Sequence, residues 1–342
     1  MAMRRYEIRE PKGIASLQIV DVESPRPGPG QVLVDMKAWS LNYRDLSMPR
    51  GGYPGNDKVL RAPPLVPVSD GAGEVVAVGA GVKEFAPGDR VVTSFFQNWD
   101  DGELTAEGKA SALGGSIDGV LSERVVLSAR GLVAAPPSLS FEQASTLPCA
   151  GLTAWAALTE AGARAGETVL LLGTGGVSIF GLQLAKMMGL RTIITSSSKE
   201  KLERARQLGA SHTIQYTEVP DWDERARELT AGVGVDHVLE VGGVGTLERS
   251  VHACRFGGNV SLIGVLTGMP EQNPSPLNVM WKRLILRGIY VGTRRQLEAL
   301  CRAVEIAGLA PVIDRTFSFD AVQDAYRYLK SGQHFGKVVI TR

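Results

Sequence analysis

The stretch Thr168–Gly189, "TVLLLGTGGVSIFGLQLAKMMG", constrains the fold more than any other part of the chain. Five strand-like residues, Thr168–Leu172, run into the glycine turn Gly173-x-Gly175. A helical pattern follows over Val177–Met188, with Ile179, Leu182, Leu184 and Ala185 available for a buried face. A strand that turns on glycine into a helix leaves the first helical N–H groups unpaired at the positive end of the helix dipole, where they attract phosphate oxygens. Gly173 permits the tight turn, and Gly175 lets the backbone approach a pyrophosphate with no Cβ in the way. Ser178 stands where the dinucleotide pattern has its third glycine, and it is small enough for close helix–strand packing. A glycine turn by itself often only connects two elements, so its neighbours decide what it is.

Those neighbours alternate. "RTIIT", "HTIQY", "VDHVLEV", "NVSLIGV" and "LILRGIYV" read as strands, separated by the helical patterns "SKEKLERARQLG", "DWDERARELT" and "TLERSVHACR". Six strands in this rhythm predict an α/β fold with a parallel, doubly wound sheet of the Rossmann kind, and the turn then reads as a dinucleotide site. Before Pro148 the texture is different: short β-branched or alternating segments punctuated by turns such as "PRPGPG" and "PGD" predict a β-rich barrel. Gln97–Gly119, polar and without periodicity, reads as a long surface loop. The expected domains are residues 1–149, β-rich; 150–293, nucleotide-binding; and 294–342, a return segment completing the first domain.

Which dinucleotide is bound is set about 20 residues beyond the turn, where NAD-specific sites carry Asp or Glu for the ribose 2′-hydroxyl. Here the second strand ends in "TIITSSSKEKLE", with Thr195, Ser196, Ser197, Ser198 and Lys199 at its tip. Hydroxyls and lysines would solvate a 2′-phosphate, so NADP(H) is the expected cofactor. A second reading of the same residues is that the serines cap the next helix and the lysines decorate its solvent face. Both can hold together.

Lys plus Arg number 37 against 36 for Asp plus Glu, a formal net charge of +1, which offers no broad field for nucleic acid or an anionic membrane. No stretch approaches the ~18 apolar residues of a membrane span. "MAMRRYEIREPKG" has no apolar signal core behind its arginines. Cys149, Cys254 and Cys301, odd in number and far apart, argue against a disulfide framework and fit a reducing cytoplasm.

Along its whole length the chain resembles the medium-chain dehydrogenase/reductases, through "PGPGQVLVDMKAWSLNYRDL", "PLVPVSDGAGEVVAVG", "PGDRV", "LPCAGLTAW", "GTGGVS" and "FGKVVI". The resemblance implies a GroES-like catalytic domain and a six-stranded nucleotide domain, with a cleft between them for the nicotinamide. It also implies a homodimer or homotetramer, often paired through the last strand, here "RGIYV". Zinc-containing members carry a catalytic metal on Cys, His and a second Cys. The first Cys of their "CHTD" stretch falls on Asn42, the His of their "GHE" falls on Ser69 with Asp70 in the acidic place, and only Cys149 in "LPCAG" remains a candidate ligand. Gln97–Gly119, where their structural zinc loop would lie, has no cysteine. No zinc is expected. "NYRD" instead resembles the zinc-free quinone oxidoreductase branch. In that branch the residues matching Ser196, Ser197, Lys201 and Tyr216 surround the 2′-phosphate of NADPH. Gly175, Gly176 and Val177 match pyrophosphate contacts, and Thr153, Ile263, Gly264 and Val265 match the nicotinamide surroundings.

Without a Lewis acid, help for hydride transfer must come from hydrogen-bond donors aimed at a developing oxyanion or enolate. That favours an activated small-molecule acceptor, a quinone or an enone. The candidate donors are Asn42, Tyr43 and Tyr53, the last resembling the tyrosine of the "SGxYP" stretch in quinone reductases. Arg44 is a candidate for steadying a pyrophosphate or substrate anion. Competing structural roles stay open: Asn42 bonding a turn backbone, Asp45 as a cap, Tyr43 as a cofactor neighbour, Cys149 as a small buried residue. Metal-independent oxidation of an alcohol, and NADPH sensing without turnover, are the alternative functions.

Overall fold

The computed structural model describes residues 2–52, 62–267 and 275–342. They form two compact units, Met1–Leu152 with Thr293–Arg342, and Thr153–Gly292.

The first unit begins with an antiparallel pair, β1 (Ala2–Ile8) and β2 (Leu17–Glu23). Then come β3 (Gln31–Leu41), β4 (Asp70–Val78), β5 (Arg90–Thr93), β6 (Arg124–Ser128) and β7 (Leu132–Ala134). β3 is the spine. It pairs antiparallel with β4 and with β6, and almost every residue on it is buried because sheet neighbours and core cover both of its faces. Trp39 on β3 is fully buried, its ring tilted against Phe319 at 5.0 Å.

The second unit holds β8 (Thr168–Leu171), β9 (Arg191–Ser196), β10 (His212–Gln215), β11 (Val235–Glu240), β12 (Cys254–Leu262) and β13 (Ile285–Gly288). They lie in the order β10-β9-β8-β11-β12-β13, and every pair is parallel. β8 is buried at all four residues, as a central strand covered on both faces requires. The strand order reverses between β8 and β11, and ligands of such sheets bind at the carboxyl ends of strands flanking that point.

The chain then returns to the first unit. β14 (Ile313–Ser318) pairs parallel with β15 (Lys337–Thr341), and β15 pairs antiparallel with β3. The last strand thus sets Val338 opposite Leu41, one residue before Asn42.

The segment read as a surface loop, Gln97–Gly119, is a correction. It carries a helical turn, Ala106–Lys109, and its second half goes inside: Ala112 and Leu113 are buried, and Ala112 bridges Phe96. The reason is backbone satisfaction, since the Leu113 N–H donates to the Phe95 carbonyl at 3.0 Å.

Candidate functional site

In the second unit the glycine turn joins β8 to the helix Gly176–Met187. Gly173 has φ +73°, a left-handed conformation that disfavours a side chain. Its N–H donates to Thr195 Oγ1 at 3.1 Å, which ties the turn to the end of β9. The helix starts at Gly175 with no side-chain cap, so its first-turn N–H groups face outward for an anion. Ser178 is buried, and its hydroxyl donates to the Leu172 carbonyl at 2.6 Å, clasping helix to strand. The closest approach falls one turn later. A Cβ at Gly181 would stand 2.8 Å from Leu239 Cδ2 and 2.9 Å from Leu171 Cδ2.

At the tip of β9 the two readings of the serines divide between residues. Ser198 caps the helix Lys199–Gln207, its Oγ accepting from the Lys201 N–H at 3.3 Å. Ser196 is buried, its Oγ accepting from the Ser198 N–H at 3.3 Å and its carbonyl from the Tyr216 N–H at 3.1 Å. Ser197 and Tyr216 are exposed on neighbouring strand ends, and Lys199 pairs with Glu218 at 2.8 Å. The residues at this tip are hydroxyls, with Lys201 half-buried in the following turn. Glycine turn, uncapped helix and strand tip together fit a dinucleotide.

Sequence reasoning missed Glu240, at the end of β11 beside the switch point. It is fully buried. Its Oε1 accepts from the N–H groups of Gly242 and Gly243, at 2.8 and 2.9 Å, and from Thr246 Oγ1 at 2.6 Å, while Ser250 Oγ donates to Oε2. The available signal was an acid closing an apolar strand just before two glycines, "LEVGG". This carboxylate shapes the turn on which Ile263–Val265 rests. The Glu240 carbonyl accepts from the N–H groups of Ile263 and Gly264, and a Cβ on Gly264 would come within 2.1 Å of the Val241 carbonyl oxygen. Val265 is exposed, and Thr153 is buried on the helix Leu152–Glu160. The histidines of this unit that bear on charge serve structure: His237 meets Glu167, and His252 meets Asp223, each at 2.8 Å.

In the first unit a polar cluster sits where β3 ends and β4 and β15 begin. The Asn42 N–H donates to Asp45 Oδ2 at 2.7 Å, so Asp45 caps the turn Tyr43–Leu46. Burial pushes the Asp45 carboxyl up to about 6, with the Arg44 charge opposing. Arg44 is itself buried, its guanidinium 4.2 Å over the Phe95 ring and donating to the Leu113 carbonyl. Tyr43 is 46% exposed. Tyr53 lies outside the described residues.

Asp70, at the start of β4, accepts from Ser69 Oγ at 2.6 Å and from the Cys149 N–H at 3.0 Å. Burial raises its pKa, and the Lys337 charge pulls it back. Cys149 lies in a π-helical turn, Leu147–Gly151, and burial with the Asp70 charge pushes its thiol up to about 12. Lys337 is 2% exposed, and its Nζ donates to the Leu41 carbonyl at 2.6 Å and to Asn42 Oδ1 at 2.5 Å. Burial lowers its pKa, and Asp70, Cys149 and Asp45 raise it. Asn42, Ser69, Asp70 and Cys149, the positions that match a zinc site, are thus drawn together around Asp70 and Lys337. Their chemistry does not fit zinc. An amide and a hydroxyl are poor ligands, the carboxylate is already bonded, and an ammonium sits on the amide. Among the described residues no three His, Cys, Asp or Glu side chains are placed to hold a metal.

Residues 28–137 match the alcohol dehydrogenase GroES-like domain family and residues 176–305 the zinc-binding dehydrogenase family. A zinc-type alcohol dehydrogenase-like protein of Schizosaccharomyces pombe is 43% identical over 99% of both chains. A 2-methylene-furan-3-one reductase of Solanum lycopersicum is 33% identical, covering 91% of this chain and 71% of that one. The crystal structure of an NAD-dependent alcohol dehydrogenase superposes with a TM-score of 0.89 at 33% identity, covering 99% of this chain and 100% of the other. With a parallel dinucleotide sheet, a GroES-like domain and relatives matched end to end, the chain belongs to the medium-chain dehydrogenase/reductase superfamily, as an alcohol dehydrogenase-like oxidoreductase.

Proposed function

We propose that the protein is an NADPH-dependent oxidoreductase that works without zinc and reduces a quinone, an enone or another activated carbonyl compound. The observation that carries the reading is the cluster at Asn42, Ser69, Asp70 and Cys149, where an amide and a hydroxyl stand at positions that match a Cys and a His ligand, and the Lys337 ammonium donates to that amide. When bound, the nicotinamide supplies the hydride. The Gly173, Gly175, Gly176 and Val177 backbone would hold the pyrophosphate, and Ser196, Ser197, Lys201 and Tyr216 the 2′-phosphate. Thr153, Ile263, Gly264 and Val265 would bound the nicotinamide. Asn42, Tyr43 and Tyr53 would donate to the acceptor oxygen, and a conjugated acceptor suits such neutral donors because its negative charge is spread over several atoms. The buried Arg44 would act by its charge on the site. The enone-reductase relative supports the substrate class. We further assign a homodimer or homotetramer, a cytoplasmic setting, and domain limits at residues 149 and 293.

The test is NADPH and NADH oxidation by the purified protein against a panel of quinones and enones, with and without a chelator. NADPH-preferring turnover untouched by the chelator is expected. Loss of activity on chelation, or a clear preference for NADH, would overturn the reading. The relatives named as alcohol dehydrogenases favour a second reading, oxidation of a C–OH group by the same metal-free site. NADP⁺ reduction by alcohols in place of enone reduction would select it.

A further inference from the structure

We propose that Thr195 is a positioning residue for the dinucleotide: its hydroxyl holds the glycine turn and the tip of β9 at one spacing, so that the cofactor meets a preformed site. The inference rests on dinucleotide binding and deepens it, and it applies to NADPH and NADH alike.

The backbone of the sheet does not fix that spacing. The register between β8 and β9 ends at the pair Leu171 and Ile194. Gly173 stands two residues past that end, at φ +73°, with no side chain to anchor it. A glycine so placed has more than one way to turn its peptide plane. Its N–H is nevertheless committed, donating to Thr195 Oγ1 at 3.1 Å. One side-chain bond thus carries the link between the two strands past the point where the backbone pairing stops. The helix Gly176–Met187 follows with no side-chain cap, so the direction in which its first N–H groups face depends on how the chain leaves Gly173.

Thr195 is suited to this role. It is 3% exposed, and a β-branched side chain is stiff at χ1, so its oxygen stays with the turn. Its neighbour serves the other side. Ser196 is in register with Gln215 of β10, and its carbonyl accepts from the Tyr216 N–H at 3.1 Å. The tip of β9 is therefore tied to the glycine turn through Thr195 and to Tyr216 through Ser196. A site whose parts are ordered before the ligand arrives loses less freedom on binding.

The experiment compares Thr195→Val, which keeps the shape and removes the oxygen, with Thr195→Ser, which keeps the oxygen. Hydrogen exchange at the Gly173 amide, read by NMR on glycine-labelled protein without cofactor, reports the bond. Fluorescence titration with NADPH and with NADH reports the site, and thermal melting checks the fold. In Thr195→Val the Gly173 amide is expected to exchange about tenfold faster, and both dissociation constants to rise about tenfold. The melting temperature should change little, because the Gly173 N–H is in a half-buried turn where it can turn to water. Thr195→Ser should return exchange and affinity to within about threefold of native. Unchanged exchange or unchanged dissociation constants in Thr195→Val overturn the proposal, as does a loss that Thr195→Ser fails to restore. A rise for NADPH alone overturns it as well, since the hydroxyl would then act on the 2′-phosphate and not through the turn. A native chain that prefers NADH condemns the NADPH reading and leaves this proposal to be decided on NADH, whereas one that binds neither overturns both. If Thr195→Val does not fold, Thr195→Ala against Thr195→Ser makes the same comparison, with the same expected and overturning results.

Discussion

Truncating Glu240 to alanine should damage the second unit far more than removing one surface-sized side chain, and the structure supplies the size. The two oxygens take hydrogen bonds from the N–H groups of Gly242 and Gly243 and from the hydroxyls of Thr246 and Ser250. The Thr246 hydroxyl keeps a fallback, since it also reaches the Gly243 carbonyl at 3.1 Å. The two backbone N–H groups have fixed directions and buried surroundings, and leaving such a donor unmet costs about 1–3 kcal/mol. Glu240→Ala is therefore expected to lose about 3–5 kcal/mol. Glu240→Gln makes the sharper control. Its amide oxygen can receive the three donors now on Oε1, and its NH₂ group can donate to the Ser250 hydroxyl, which turns to accept. That variant should lose only about 1 kcal/mol. Urea denaturation followed by tryptophan fluorescence measures both. NADPH titration should show a dissociation constant raised about tenfold in Glu240→Ala, about 1.4 kcal/mol, because the turn under Ile263–Val265 is no longer held. Equal losses in the two variants, or a loss below about 1 kcal/mol in Glu240→Ala, would mean that the four bonds do not act as one cradle.

Three further perturbations probe the remaining parts. Ser197→Asp puts a carboxylate at the exposed strand tip, where it should weaken NADPH by about tenfold or more and improve NADH; paired titrations that leave the preference unchanged would remove the tip from the 2′-phosphate site. Gly181→Val should cost about 1–3 kcal/mol by overpacking Leu171 and Leu239, whereas Ser178→Gly should cost only about 1 kcal/mol for its bond to Leu172; thermal melting that ranks them in reverse would place the tight helix–strand contact at Ser178. Asp45 titrates near 6 in the folded chain against an ordinary 3.8, so the folded state holds its proton more tightly. Its protonated form favours folding fully below 3.8, and that advantage is lost as the pH rises through 6. Relative to Asp45→Asn, the native protein should therefore lose up to about 3 kcal/mol between about pH 4 and pH 7, and a pH-independent difference between the two denaturation curves would refute this.

The alternation of strands and helices was legible because each element of the second unit is local: Val169–Leu172 is an unbroken apolar run, and a positive-φ glycine closes it. The order of the sheet follows from that rhythm and from the handedness of parallel crossovers. Gly181 was harder to see, since a glycine inside a helix pattern has no meaning until Leu171 and Leu239 are known to lie against it. The same holds for Ala112 and Leu113, whose polar, glycine-rich surroundings conceal that they go inside. What local patterning cannot carry is compensation between distant charges. Neutral residues at 42 and 69 can be read from the chain directly. The lysine bonded to Asn42 lies 295 residues further on, where it opens an apolar strand. A buried charge is tolerable only beside its partner, so a lone lysine opening an otherwise apolar strand is itself a signal. Such a residue must either reach water or find polar partners, and here the antiparallel register of β15 against β3 brings it to the Leu41 carbonyl and Asn42 Oδ1.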